Sequence, residues 1–340
     1  MSVNYTVQRS TRASRISMSL VAVILIVLIA APWWAGRADL RLMVEIFYYL
    51  ALAQMWSLLA GYGGLVSVGQ QAFVGLGGYM LFALAAFWGI HPILALVLAG
   101  VITAVIAMPT ALIAFRLQGA YFAIGTWVIA EVFRLGFAQV SALGGGSGMS
   151  LPATIVKSIA ASRSGREHLV YWVALGIAVG SIALVFLLLR SRWGLAMTAI
   201  RDSEPASESL GVETYATKFI VYVVAAGMTG LVGALIFLQK LRISPDAAFS
   251  VQDWTALVIF IVVIGGIGTI EGPILGVIVF FILREIAADW GSWYLIVLGG
   301  IAVSVMLFAP KGLWGLITAR YDIHLFPVGR RLIVNEEKSE

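Results

Sequence analysis

The chain has 340 residues, 61% hydrophobic and 11% charged, with a net charge of +5 and a mean hydropathy of +0.98. Soluble domains carry roughly 25% charged residues, so this chain could not cover a water-facing surface and a soluble globular fold is excluded. At about 20 apolar residues per crossing, the apolar content supplies ten membrane spans at most.

Residues 1–17 form a cytoplasmic N-terminal segment with Arg9, Arg12 and Arg15 ahead of an apolar run, 18–34. A secretory signal peptide has the same order, but the run is long for a cleaved one and is read as a first span with its basic end inside. Further spans are predicted at 42–60, 66–88, 93–115, 120–137, 169–189, 215–238, 254–268, 273–288 and 293–309. Two of them, 120–137 and 254–268, are short enough to be re-entrant. The expected fold is all-α: a polytopic transmembrane helical bundle of about ten spans. Its transmembrane domain is 18–310, and a cytoplasmic tail occupies 311–340. An even number of spans puts both termini on one face. Twelve of the 22 Lys and Arg residues fall on that face, seven on the other and three at span ends. Positive charge accumulates in cytoplasmic loops, so both termini are placed in the cytoplasm. The +5 charge is therefore topological and gives no reason to expect nucleic acid.

Four stretches stand out along the chain. The first, 61–79, is Gly-rich and carries Ser67, Gln70 and Gln71 at membrane depth, where lipid exposure of polar groups is costly. It reads either as close helix packing or as a broken helix lining a solute path. In the second, Tyr121 and Thr126 precede Glu131 and Arg134, which stand three apart on one helix face and read as a buried ion pair. The loop 138–168 follows; it is external, Gly/Ser-rich and basic at Lys157, Arg163 and Arg166. It is either an ordinary solvated loop or a contact for an extracytoplasmic partner.

The third stretch, the loop 190–214, has helical spacing in the pairs Leu195–Ala199 and Ala196–Ile200. Asp202 or Ser203 can cap a second helix, Pro205 suits its first turn and Gly211 its end. Two short cytoplasmic surface helices are expected there, with Arg201, Glu204 and Glu208 supplying charge of both signs. The fourth, 265–276, is again Gly-rich; a pair of such breaks in the two halves hints at an internal repeat about a central site. Glu271 in it is read as a membrane-boundary residue.

Enzyme chemistry finds no footing. Cysteine is absent, and His91, His168 and His324 are far apart, so no metal site is expected. The run 144–148 lacks the Lys of a phosphate-binding loop, and neither HExxH nor GxSxG occurs. Nucleotide, if used, must be bound by another chain, and no cofactor is expected here.

Five blocks together resemble a known family: GYGGLVSVGQQAFVGLGGY (61–79), GAYFAIGT (119–126), GLAMTAIRDSEPASESLG (194–211), GGIGTIEGPILG (265–276) and PKGLWGL (310–316). In this order and spacing they are similar to the permease subunits of branched-chain amino acid ABC transporters, the LivM type. The resemblance implies a bacterial inner-membrane importer subunit, multi-pass in the lipid. Its implied partners are a second related permease, two ATP-binding cassette subunits that use the ATP, and a periplasmic solute-binding protein. It also implies that Gly194, Leu195, Ile200, Arg201, Glu204, Glu208 and Gly211 belong to the loop that docks the ATPase. Ser67, Gln70, Gln71, Tyr121 and Thr126 are then candidates for the solute path. Related permeases for urea, short amides or aromatic acids stay open as alternatives. So does a stand-alone ion-coupled carrier or channel, which would need buried carboxylates beyond Glu131.

Overall fold

The computed structural model describes residues 4–8, 12–160, 162–287, 291, 293–321, 325–326 and 331–335. Among these, fifteen α-helices dominate, with two small antiparallel ribbons. Arg9, His324, Arg330 and Lys338 lie outside the described residues, as does the last residue of the span predicted at 273–288.

Strand β1 (Asn4–Gln8) precedes α1 (Arg12–Trp34), whose apolar part is Val21–Trp34. Helix α2 (Arg37–Ser57) continues through a π-helical turn, Leu58–Tyr62, to make one 26-residue apolar segment. A non-helical stretch, 63–69, separates it from α3 (Gln70–Phe87). The predicted span 66–88 therefore starts four residues late. Leu65 N–H bonds back to the Leu59 carbonyl at 2.9 Å, and Ser67 accepts at 3.2 Å from Gly69 N–H, which closes the loop and lets the helix restart. Helices α4 (Pro92–Ala114) and α5 (Ala120–Gln139) follow; α5 is an uninterrupted 20-residue helix, so the re-entrant reading of it is dropped.

The loop 138–168 is shorter and more ordered than expected. It holds β2 (Met149–Ser150) and α6 (Ala153–Ile159), and α7 (Arg163–Arg190) begins six residues before the predicted span. Ser162 caps α7 by accepting from Gly165 N–H at 2.9 Å. Arg37, Arg41 and Arg163 converge on Glu167 at 3.7, 2.6 and 3.6 Å, so charges that suggested a solvated loop extend the helix instead.

After α8 (Arg192–Asp202) and α9 (Glu204–Ser209) comes α10 (Thr214–Lys240), the central helix of the bundle. Strand β3 (Arg242–Ile243) pairs with β2, and α11 (Pro245–Ala248) leads to a second π-helical turn, Gln252–Ala256. Helix α12 (Leu257–Gly265) completes an apolar segment running from Pro245 to Gly265. The predicted span 254–268 is thus displaced toward its N-terminus, because Gly266 and Gly268 leave the helix with φ of 133° and 75°. Helices α13 (Glu271–Ile286), α14 (Trp293–Phe308) and α15 (Gly312–Tyr321) follow, and β4 (Arg331–Asn335) pairs with β1. The tail at 311–340 is therefore partly helical. The β1–β4 pairing brings the two ends of the chain to the same side of the molecule.

Eight helical segments are long and apolar enough to cross a bilayer among the described residues. The other two predicted spans correspond to the shorter apolar helix Val21–Trp34 and to the 16-residue α13. The Gly-rich break at 266–270 shortens α13. This is a multi-pass helical membrane protein.

Packing around α10 rests on small residues. An ideal Cβ on Gly77 of α3 would lie 1.8 Å from the Gly230 carbonyl oxygen of α10, and one on Gly233 would lie 2.1 Å from that of Val74. Only glycine lets the two backbones meet, which is how helices gain van der Waals contact in lipid, where apolar burial gives no net drive.

Candidate functional site

The site grows from the two Gly-rich breaks, which the fold brings together. An ideal Cβ on Gly61 would lie 2.4 Å from Gly268 N and 2.7 Å from its Cα, so the π-helical end of α2 rests directly on the 266–270 backbone. Gln54 reinforces the contact by donating to the Ile270 carbonyl at 2.8 Å in a buried position.

The polar residues of the first break all turn inward. Ser67, Gln70 and Gln71 are buried, as is Thr126. Trp56 Nε1 donates to the Ser67 carbonyl at 2.8 Å, Gln70 Nε2 to the Leu52 carbonyl at 2.9 Å, and Val68 N–H to Thr126 Oγ1 at 3.1 Å. Thr255, in the second π-helical turn, donates to Gln71 Oε1 and accepts from Gln71 N–H at 3.3 Å. These bonds satisfy backbone that the break leaves open, the condition for irregular chain at membrane depth. Four of the five proposed path residues are thus buried around the first break, each bonded to a different partner. Tyr121 is not: its side chain is 75% exposed, on the outer face of α5.

The loop expected to form two surface helices holds α8 and α9. Ser191 caps α8, accepting from Trp193 N–H at 3.1 Å. Ser203, rather than Asp202, caps α9, and Pro205 stands in its first turn. Gly211 has φ of 82° beyond the end of α9. Gly194 is needed where α7 turns into α8, since a Cβ there would sit 2.3 Å from the Leu189 carbonyl oxygen. The buried side of α8, Met197 and Ile200, packs toward the first break, while Leu195 and Leu210 are 61% and 83% exposed. Two polar braces tie α9 to α10: Lys218 to Glu204, and Thr214 Oγ1 donating to Glu208 Oε1 at 2.7 Å.

Arg201 makes the decisive contact. Its Nη1 donates to the Gly61 carbonyl at 3.1 Å, and it lies 3.7 Å from the Cβ position of Gly268. One side chain on the surface pair α8–α9 therefore touches the point where both Gly-rich breaks meet. A cavity of about 840 Å³ opens beside it, bounded by Leu65, Phe115, Gln118, Glu204, Glu208 and Lys218.

The Glu131–Arg134 pair forms, with contacts of 2.6 to 3.0 Å, but it is not buried: the side chains are 44% and 29% exposed. Asp246 at the start of α11 joins it at 2.7 Å, because α5 leaves that face open. Glu271 opens α13 at a span end, and its side chain is buried. Its Oε1 accepts from Leu325 and Phe326 N–H at 3.1 and 2.9 Å and so anchors the segment beyond α15.

Sequence reasoning missed a second intramembrane pair, Glu45 with Arg284, joined by bonds of 2.7 and 3.0 Å. These residues are 239 positions apart, and each has a nearer opposite charge in sequence, Arg41 for Glu45 and Glu285 for Arg284, so the sequence carried no signal for this pairing. Among the described residues no group of three His, Asp or Glu side chains gathers as a metal would require.

Residues 40–308 match the family described as branched-chain amino acid transport system / permease component. The high-affinity branched-chain amino acid transport system permease protein LivM of Salmonella typhimurium is 28% identical over 312 residues, covering 85% of this chain and 73% of that protein. Its Escherichia coli counterpart is 28% identical over 323 residues, with coverages of 88% and 76%. The probable branched-chain amino acid transport permease protein LivM of Methanocaldococcus jannaschii is 27% identical over 195 residues, 56% of this chain and 54% of that one. No solved structure matches. Family and architecture agree: this multi-pass helical chain belongs to the permease components of branched-chain amino acid transport systems.

Proposed function

We propose that the chain is the membrane-spanning subunit of an ATP-driven, binding-protein-dependent importer of branched-chain amino acids in a bacterial inner membrane. It forms part of the solute path beside a second, related permease. ATP is bound and hydrolysed by two separate cassette subunits that dock on α8 and α9, and a periplasmic binding protein delivers the solute. In this reading the subunit is no enzyme and carries no cofactor.

The observation that carries the reading is Arg201 on the Gly61 carbonyl. A docking pair of helices must transmit motion to the spans, and here the pair is linked by a hydrogen bond to the junction of two helix breaks. A displacement of α8 moves that junction directly. Exposed Leu195 and Leu210 offer apolar contacts for a cytoplasmic partner.

Reconstitution tests the assignment. Liposomes holding this chain, the related permease, the cassette subunits and the binding protein should accumulate leucine only with ATP inside. Leucine should compete with the labelled solute where urea and benzoate do not. Leucine transport by this chain alone, or uptake indifferent to ATP, overturns the proposal.

A further inference from the structure

The bundle end remote from α8 and α9 frames another cavity, of about 670 Å³. The 27 residues of α10 at ~1.5 Å each put it about 40 Å from α9. Such a volume is ordinary for a small-molecule site, in the range of roughly 300–1,000 Å³.

Its wall carries both signs of charge on an aromatic base. Glu45 and Arg284 satisfy each other. Lys240 and Asp253, which also line it, form no ion pair within 4.0 Å and no side-chain hydrogen bond among the described residues, and Lys240 feels the charges of Asp253 and Glu45 across the cavity. Both are fixed by the fold. Lys240 Nζ stands 4.7 Å from the centroid of a Trp254 ring and 5.8 Å from that of Phe237. It ends α10, and the chain then turns away at Leu241, whose φ of 58° is unusual for a bulky residue. Asp253 lies in the π-helical turn Gln252–Ala256, and such turns recur at functional sites.

An α-amino acid carries a carboxylate and an ammonium on one carbon, beside a side chain. We infer that this cavity is a binding subsite for a zwitterionic α-amino acid with an apolar side chain. Lys240 takes the carboxylate and Asp253 the ammonium, and Leu257, Phe280 and Tyr294 receive the side chain. A ligand with one charge leaves a protein charge unpaired, so the site discriminates against simple acids and amines. Binding here is independent of ATP; only the placing of the subsite on a transport path rests on the importer reading.

The test uses the full chain in lipid nanodiscs with radiolabelled L-leucine as probe. Leucine should bind saturably. Isovalerate, which lacks the ammonium, and isoamylamine, which lacks the carboxylate, should each compete at least about tenfold worse, the scale of a lost hydrogen bond to a charged group. Lys240→Gln and Asp253→Asn should each weaken leucine by about the same factor at unchanged melting temperature, and Lys240→Arg should keep most of the binding. Equal competition by a single-charge analogue on the unaltered chain overturns the subsite, as does wild-type affinity in both neutral variants. ATP-driven uptake without saturable nanodisc binding refutes the subsite and leaves the importer reading standing. Binding with this charge pattern but no ATP-driven uptake does the reverse.

Discussion

Gly77 and Arg201 show how single atoms set this structure. A methyl at Gly77 meets the Gly230 carbonyl at 1.8 Å, backbone against backbone, so nothing nearby can rotate away. Gly77→Ala should therefore push α3 off α10 and cost about 1–3 kcal/mol, as overpacked cores do. It should appear as a lower melting temperature in detergent. Gly136→Ala is the control, since a Cβ there meets nothing within 4 Å; its melting should be unchanged or slightly raised, alanine being the better helix former. For Arg201, replacement by Lys keeps the charge but gives up the planar guanidinium that donates to Gly61. Arg201→Lys should lower stability by no more than about 1.5–3 kcal/mol, the worth of a hydrogen bond to a charged group, yet reduce ATP-driven uptake several-fold. Uptake at the wild-type rate removes Arg201 from the coupling role.

At the scale of elements, α9 is too short to hold itself. Six residues form fewer than two turns, and isolated helices of this length are unstable in water. Its attachment to α10 through Glu204–Lys218 and Glu208–Thr214 decides its orientation. Lys218 is 18% and Glu204 45% exposed, so the ion pair is worth about 0.2–1 kcal/mol. Glu204→Lys and Lys218→Glu should each speed amide exchange across Glu204–Ser209, and the double exchange should restore much of the protection. Independent additive effects would show that the pair does not hold the helix. The same logic explains α7, which starts early because Glu167 neutralises three arginines at its first turns.

For the whole molecule, the alternating directions of the spans place Trp88 and Leu195 at opposite ends. The native chain has no cysteine, so single replacements report sidedness without a background. Trp88→Cys and Leu195→Cys lie at positions 74% and 61% exposed. In intact cells a membrane-impermeant maleimide should label position 88, and position 195 only after permeabilisation. Labelling of both from one side would overturn the orientation and with it the docking role of α8 and α9.

Much of this was legible in the residues themselves. The shortage of charge, the apolar runs and the spacing of caps around 191–211 depend on neighbours in sequence, and hydrophobic length and capping are local physics. They gave the helical class, the two surface helices and the positions of most spans to within about five residues, but not the early start of α7 or of the segment Pro245–Gly265. The relation between distant stretches was not legible. That Gly61 rests on Gly268, that Arg201 reaches them both, and that Glu45 finds Arg284 follow from how helices stack. A glycine reads alike whether it bends a chain or admits a neighbour's backbone. Only the fold supplies the neighbour, and so only the fold turns two similar Gly-rich segments into one junction under a surface lever.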